Sequence, residues 1–208
     1  MKDRESGTPI STPILLFTPR LLLREWAADD WPLVYDLSRE PLVTRFQSWL
    51  RLEDAARAQR WLQDAIEHNS RTPRRAYSMA LIERASDAAI GWLGWGLEEG
   101  RAHSNFGFGY ALAPSVWGHG YMTEAVRAAL AYMFSSLEAQ QVSAECAANN
   151  HASARTLEKA GLHLVSRQEE TDPDTGLTED YLSYAITRAG WRTTTKNSSS
   201  ELQSRPGR

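Results

Sequence analysis

The sequence predicts one α+β domain: a mixed, mostly antiparallel central sheet of about six to seven strands, flanked by about four helices. Two observations carry that expectation. Strand-like runs follow one another between residues 76 and 112 with no helix between them, the pattern of antiparallel neighbours. Beyond them helices and strands alternate only briefly before a closing hairpin. The order is roughly β-α-α-β-β-β-α-β-α-β-β, which is not a regularly alternating doubly wound sheet.

Each element has a local reason. "ILLFTPRLLLREW" is strand-like, with Leu21 and Leu23 alternating with Leu22 and Arg24. "AADDWPLVYDLSRE" reads as a short helix, with Asp29 and Asp30 placed to favour its first turn. In "LEDAARAQRWLQDAIEH", Ala55, Ala58, Trp61, Leu62, Ala65 and Ile66 recur at helical spacing. "AYSMALIE", "AAIGWLGWGLE" and "NFGFGYAL" are the consecutive strands, separated by "RASD" and "EGRAHS". A helix from about Met122 to Leu137 carries Met122, Val126, Ala129, Leu130, Met133 and Leu137 on one stripe. "QQVSAECAA" is a strand and "SARTLEKAG" a helix closed by Gly161. "LHLVSRQEE" and "EDYLSYAIT" form a hairpin around "DPDTG".

The chain has 208 residues and a net charge of −3, with 42% hydrophobic and 24% charged residues. That suits one well-buried domain and argues against a nucleic-acid binder, which would be basic. The domain is expected over 14–191, with 1–13 and 192–208 as disordered polar ends. No apolar run approaches the ~20 residues that span a bilayer, and the first residues have no apolar leader core. A cytoplasmic location is the expectation. The single Cys146 excludes an internal disulfide and sits in the apolar run "VSAECAA", where packing is its simplest role. No metal centre is expected.

The stretch that promises chemistry is "SVWGHGYMT", residues 115–123. It places Gly118 and Gly120 between a strand and a helix start. There the first helical amides lack intrahelical partners and the helix dipole favours an anion. No acidic residue lies between Pro114 and Thr123, and there is no Walker lysine and no dinucleotide-binding glycine pattern.

"GYALAPSVWGHGYMTEAVRAALAYMF", followed after about a strand by "NHASARTLEKAGL", resembles the Gcn5-related N-acetyltransferase (GNAT) superfamily. With "TPRLLLRE" near the start, the likeness is greatest to the branch of ribosomal-protein N-terminal acetyltransferases typified by RimJ and RimL. The superfamily loop reads Arg/Gln-x-x-Gly-x-Gly/Ala; here Trp117 and Met122 depart from it, as is common in that branch. The resemblance implies a GNAT fold with a splayed strand pair, and acetyl-CoA as co-substrate. The amides of Trp117, Gly118, His119, Gly120, Tyr121 and Met122, with Thr123, would hold the pyrophosphate. Backbone groups around Ala111, Leu112 and Ala113 would bind the pantetheine arm and polarise the thioester carbonyl. Asn150 matches a cofactor contact and is also a good helix N-cap. Ser153 matches the acid that protonates the departing thiolate. Leu157 stands where many members have a tyrosine.

No general base is legible. Gly107 occupies the place of a glutamate in the related Glu-x-Gly-Tyr pattern. His68, His103, His119, His151 and His163 suit surface or packing roles, and Glu98 and Glu99 end a strand. An α-amine, with a pKa of about 7.7–8.0, is partly neutral near pH 7, whereas a lysine at about 10.4 is not. The acceptor expected is therefore a protein N-terminal α-amine or a similar primary amine, attacking directly in a ternary complex. A small-molecule or antibiotic amine acetyltransferase and a non-catalytic CoA-binding regulatory protein are the alternatives. The acidic hairpin of Glu169, Glu170, Asp172, Asp174, Glu179 and Asp180 reads as a solvated face or as a lure for cations. Trp49, Trp92 and Trp95 read as core or as walls of an acceptor pocket. The resembling branch is often dimeric, which makes a homodimer an expectation.

Overall fold

The computed structural model describes residues 13–98, 104–171 and 178–193. The polar ends, the two turns with Glu99, His103, Asp172 and Asp174, and the disorder expected at the termini lie outside the described residues, apart from the domain-edge residues 13, 192 and 193.

Eight strands form one sheet in the order β1-β2-β3-β4-β5-β6-β8-β7. They are β1 (Leu15–Phe17), β2 (Leu21–Glu25), β3 (Ala76–Glu83), β4 (Ala88–Leu97), β5 (Asn105–Leu112), β6 (Gln141–Ala147), β7 (His163–Thr171) and β8 (Thr178–Thr187). The helices are α1 (Trp31–Arg39), α2 (Pro41–Thr44), α3 (Ala55–Ser70), α4 (Tyr121–Ser135) and α5 (His151–Ala160). The strand count exceeds the expectation because "ILLFTPRLLLREW" folds back at Thr18–Arg20 into β1 and β2, which pair antiparallel.

The sheet is antiparallel except between β5 and β6. Those two pair in parallel only from Asn105↔Gln141 to Gly107↔Ser143, and then separate. Phe108–Leu112 thus have β4 on one side and an open gap on the other. This is the splay that the resemblance implies.

Two cores hold the gap open from opposite faces. On one, α4 and α5 bury Met122, Val126, Ala129, Leu130, Met133, Phe134, Leu157 and Ala160 against the sheet. Each such large side chain contributes roughly 1.5–3 kcal/mol. On the other face α1 and α3 pack with Trp26, Val34, Leu37, Leu62 and Trp92. Asp54 caps α3, accepting from Arg57 N at 2.7 Å. Asp30 is buried at the start of α1, where its carboxylate receives both Arg24 guanidinium nitrogens at 2.6 and 2.7 Å. Between α1 and α3 lies a segment the sequence pattern left unassigned: α2 and a single 3-10 turn, Ser48–Leu50. It has no amphipathic stripe and is fixed by buried Val43, Thr44 and Leu50. Among the described residues no helix is long and apolar enough to cross a membrane.

Candidate active site

The gap between β5 and β6 opens into a cavity of about 630 Å³. It is bounded by β5, the 117–123 loop, β6, the start of α5, and the α2 segment. Every residue expected at the site lines it except Ala113 and His119.

The loop owes its shape to its glycines. Gly118 and Gly120 have φ of 80° and 78°, the left-handed region that other residues occupy only under strain. Gly120 sits at the N-cap of α4, and the first α-helical bond of the ladder is Glu124 N to Gly120 O at 3.1 Å. The amides ahead of Glu124 therefore stand outside that ladder, at the positive end of the helix dipole. Arg155 and Lys159 of α5 also line the cavity and add positive charge.

A clamp from the β1–β2 turn holds the loop in place. Glu124 accepts from Thr18 Oγ1 at 2.6 Å, Arg20 N at 2.9 Å and Arg20 Nε at 2.7 Å. Arg20 Nη1 also donates to His119 O at 2.8 Å, and its guanidinium lies over the Tyr121 ring. Partial burial alone would push the Glu124 pKa up; the hydrogen bonds from Thr18 and Arg20 outweigh it and hold the carboxyl below its usual range. The distant matches "TPR" and "MTEA" are thus two halves of one contact. His119 contributes only its backbone to the loop, since its ring stacks on Tyr121.

The strand ladder corrects which backbone groups face the gap. Glu98 N donates to Asn105 O and Ala113 N to Ile90 O, so odd-numbered residues of β5 turn their backbone groups to β4. By that alternation the backbone groups of Ala111 and Ala113 point to β4, although Ala111 still lines the cavity. Those of Leu112, expected there, and of Tyr110 point to the gap.

Ser153 and Asn150 lie at the start of α5. Asn150 Oδ1 accepts from Ser153 N at 3.2 Å, so Asn150 caps the helix while lining the cavity. The Ser153 hydroxyl is 2.8 Å from the Tyr110 phenol, and either group can donate. Burial pushes the Tyr110 pKa well above its usual value, with the Ser153 hydrogen bond acting against it, so the phenol keeps its proton. Burial likewise raises the Cys146 thiol, against a hydrogen bond from Ser153, and so favours its protonated form.

Tyr110 is a site residue that the sequence pattern did not single out. Gln47 is another: from the α2 segment it donates Nε2 to Tyr110 O at 2.8 Å. At the place of the absent glutamate, a Cβ on Gly107 would lie 3.5 Å from Glu98 Oε1. Glu98 itself accepts from Ser143 and lines a second cavity of about 410 Å³. The two cavities share Phe108, Ala144 and Glu145. Trp92 and Trp95 are buried in the two cores, Trp49 lies edge-on to Trp92, and none of the three lines either of these two cavities.

A family model for the acetyltransferase (GNAT) domain matches residues 20–163. The chain belongs to this family. As a GNAT protein it is an acyltransferase. The N-acetyltransferase p20 of Bacillus licheniformis is 28% identical to it over 169 residues, covering 80% of this chain and 86% of its own. RimL, a ribosomal L7/L12 alpha-N-protein acetyltransferase solved in complex with coenzyme A, superimposes with a TM-score of 0.74 at 16% identity. That match covers 84% of this chain and 98% of RimL. Spermidine N-acetyltransferase from Vibrio cholerae, solved with CoA and spermine, gives a TM-score of 0.71 at 17% identity, covering 84% and 99%. RimL and the spermidine enzyme share the GNAT fold of this chain, so the fold alone does not single out the RimJ/RimL branch.

Proposed function

We propose that this GNAT protein transfers the acetyl group of acetyl-CoA to a primary amine of low basicity, a protein N-terminal α-amine or a similar group. The observation that carries the reading is the Ser153–Tyr110 pair, set 2.8 Å apart against the open edge of β5. The same cavity contains the glycine loop and the first turn of α4.

The donor set suits acetyl-CoA. Loop amides, the helix dipole, Arg155 and Lys159 favour its phosphates, and the open edge of β5 suits the amide-bearing pantetheine arm. That co-substrate supplies an activated acyl carbon. The amine nitrogen bonds to that carbon, the carbon–sulfur bond breaks, and the nitrogen gives up a proton to solvent. The amides of Tyr110 and Leu112 face the position where the thioester oxygen gains charge. The Ser153 hydroxyl donates its proton to the leaving sulfur and takes one back from solvent, which the amine's released proton balances. The Tyr110 phenol, hydrogen-bonded to Ser153 Oγ, offsets the charge that builds there.

Among the described residues lining this cavity the only carboxylate is Glu145, which is exposed and accepts from Ser183 at 2.8 Å. With no enclosed base beside Ser153, an amine already partly neutral near pH 7 is favoured over lysine. The test is thiol release from acetyl-CoA with three acceptors: a peptide with a free α-amine, spermidine and an aminoglycoside. The peptide is expected to be the fastest, with a rate that rises with pH until about 7.7–8.0. Acetyl-CoA binding without thiol release on any of the three would instead mark a CoA-binding regulatory protein.

A further inference from the structure

The open edge of β5 presents carbonyls as well as amides, and side chains cover two of those carbonyls, of Tyr110 and Leu112. Near the start of the strand the edge still meets β6: Gln140 N donates to Ser104 O at 2.8 Å, and Ser143 Oγ lies 3.5 Å from Phe106 O. Beyond the parting of the strands, Gln47 Nε2 donates to Tyr110 O at 2.8 Å, and Trp117 Nε1 donates to Leu112 O at 2.9 Å. The donors come from opposite sides, one from the α2 segment and one from the glycine loop.

We propose that Gln47 and Trp117 are positioning residues that cap the carbonyls of Tyr110 and Leu112, so that the open edge of β5 offers a ligand hydrogen-bond donors. This rests on the acetyl-transfer reading above. An uncapped strand carbonyl beside the thioester would set one negative oxygen against another, and the repulsion would grow as charge builds in the transition state. Capping both carbonyls removes that repulsion. It also removes a reason for β5 and β6 to zip together, because an unpaired edge carbonyl seeks a donor.

The placement of Gln47 supports a dedicated role. Its backbone is pinned on both sides, with Gln47 N donating to Thr44 O at 3.3 Å and Leu50 N donating to Gln47 O at 2.9 Å. Thr44 and Leu50 are themselves buried. Its Oε1 is buried with no hydrogen-bond partner among the described residues. The fold thus tolerates an unmade hydrogen bond on this side chain while keeping the one to Tyr110.

The test compares CoA with adenosine 3′,5′-bisphosphate, which has the adenosine, the 3′-phosphate and one phosphate of the diphosphate but no pantetheine, by calorimetric titration of wild type, Gln47→Met and Trp117→Phe. Gln47→Met is the deciding variant: it keeps the side-chain length, removes the orphaned oxygen, and lies outside the phosphate-binding loop. The proposal expects about a tenfold weaker affinity for CoA, with the bisphosphate affinity unchanged. The carbonyl stretch of isotope-labelled acetyl-CoA bound to Gln47→Met should move to higher frequency, as befits a less polarised thioester. Unchanged or tighter CoA binding by Gln47→Met overturns the proposal. So does an equal loss for both ligands, which would mean general damage to the site. Failure of wild type to bind CoA overturns the acetyl-transfer reading itself, a result distinct from normal wild-type binding with an indifferent Gln47→Met.

Discussion

The two walls of the gap reach the same strand by different physical means. The 117–124 wall is made by backbone: left-handed glycines, a helix start and a dipole, with Glu124 clamped from below by Thr18 and Arg20. The 41–50 wall is made by side-chain placement: buried Val43, Thr44 and Leu50 hold a short irregular segment so that one amide, Gln47, reaches Tyr110 O. Backbone devices bind a constant group such as a diphosphate.

The largest expected effect lies on the backbone wall. Gly120→Glu places a side chain at a φ of 78° and a negative charge beside the loop amides. CoA binding should fall by at least about a hundredfold, or roughly 2.7 kcal/mol, while circular dichroism shows a folded domain. Normal affinity in that variant would place the diphosphate elsewhere.

Leu50→Ala should separate the walls most clearly in stability. Leu50 is fully buried behind Gln47, and removing a core leucine side chain costs about 2–5 kcal/mol. Denaturant unfolding should show that loss, with adenosine 3′,5′-bisphosphate binding retained once the protein is folded. A stability within about 0.5 kcal/mol of wild type would mean the segment is not anchored through Leu50.

A smaller effect is expected for Arg20→Ala, which removes half the clamp and leaves Thr18 on Glu124. CoA affinity should drop about threefold to tenfold, in keeping with a partly exposed ion pair. Because the folded Glu124 pKa is depressed, the stabilisation from its carboxylate is complete above the ordinary glutamate value of about 4.3 and is lost as pH falls through the lower folded value. Acid unfolding of wild type should therefore be steeper than that of Arg20→Ala. Superimposable acid transitions would show that the clamp adds nothing.

How much of this was legible follows the same division. Gly118, Gly120 and the stripe on α4 are local features, and the sequence pattern located them and the helix bounds to within a couple of residues. Ser153 and Asn150 were legible through resemblance. The edge of β5 that stays open was not, because it depends on which strands become neighbours; of the expected Ala111, Leu112 and Ala113, only Leu112 turns its backbone to the gap, beside Tyr110, which was not expected. Gln47 was invisible for a related reason. Its segment has one helical turn and one 3-10 turn, too short for any periodicity, and its partner is 63 residues away.

The central claim is that acyl transfer occurs at the open edge of β5 with Ser153 protonating the departing sulfur. Single-turnover acetyl transfer by Ser153→Ala to a peptide with a free α-amine, measured beside its CoA affinity, tests this most directly. The account predicts a chemical step at least about tenfold slower, in line with loss of a positioned acid, with CoA affinity unchanged. An unaltered rate would contradict it.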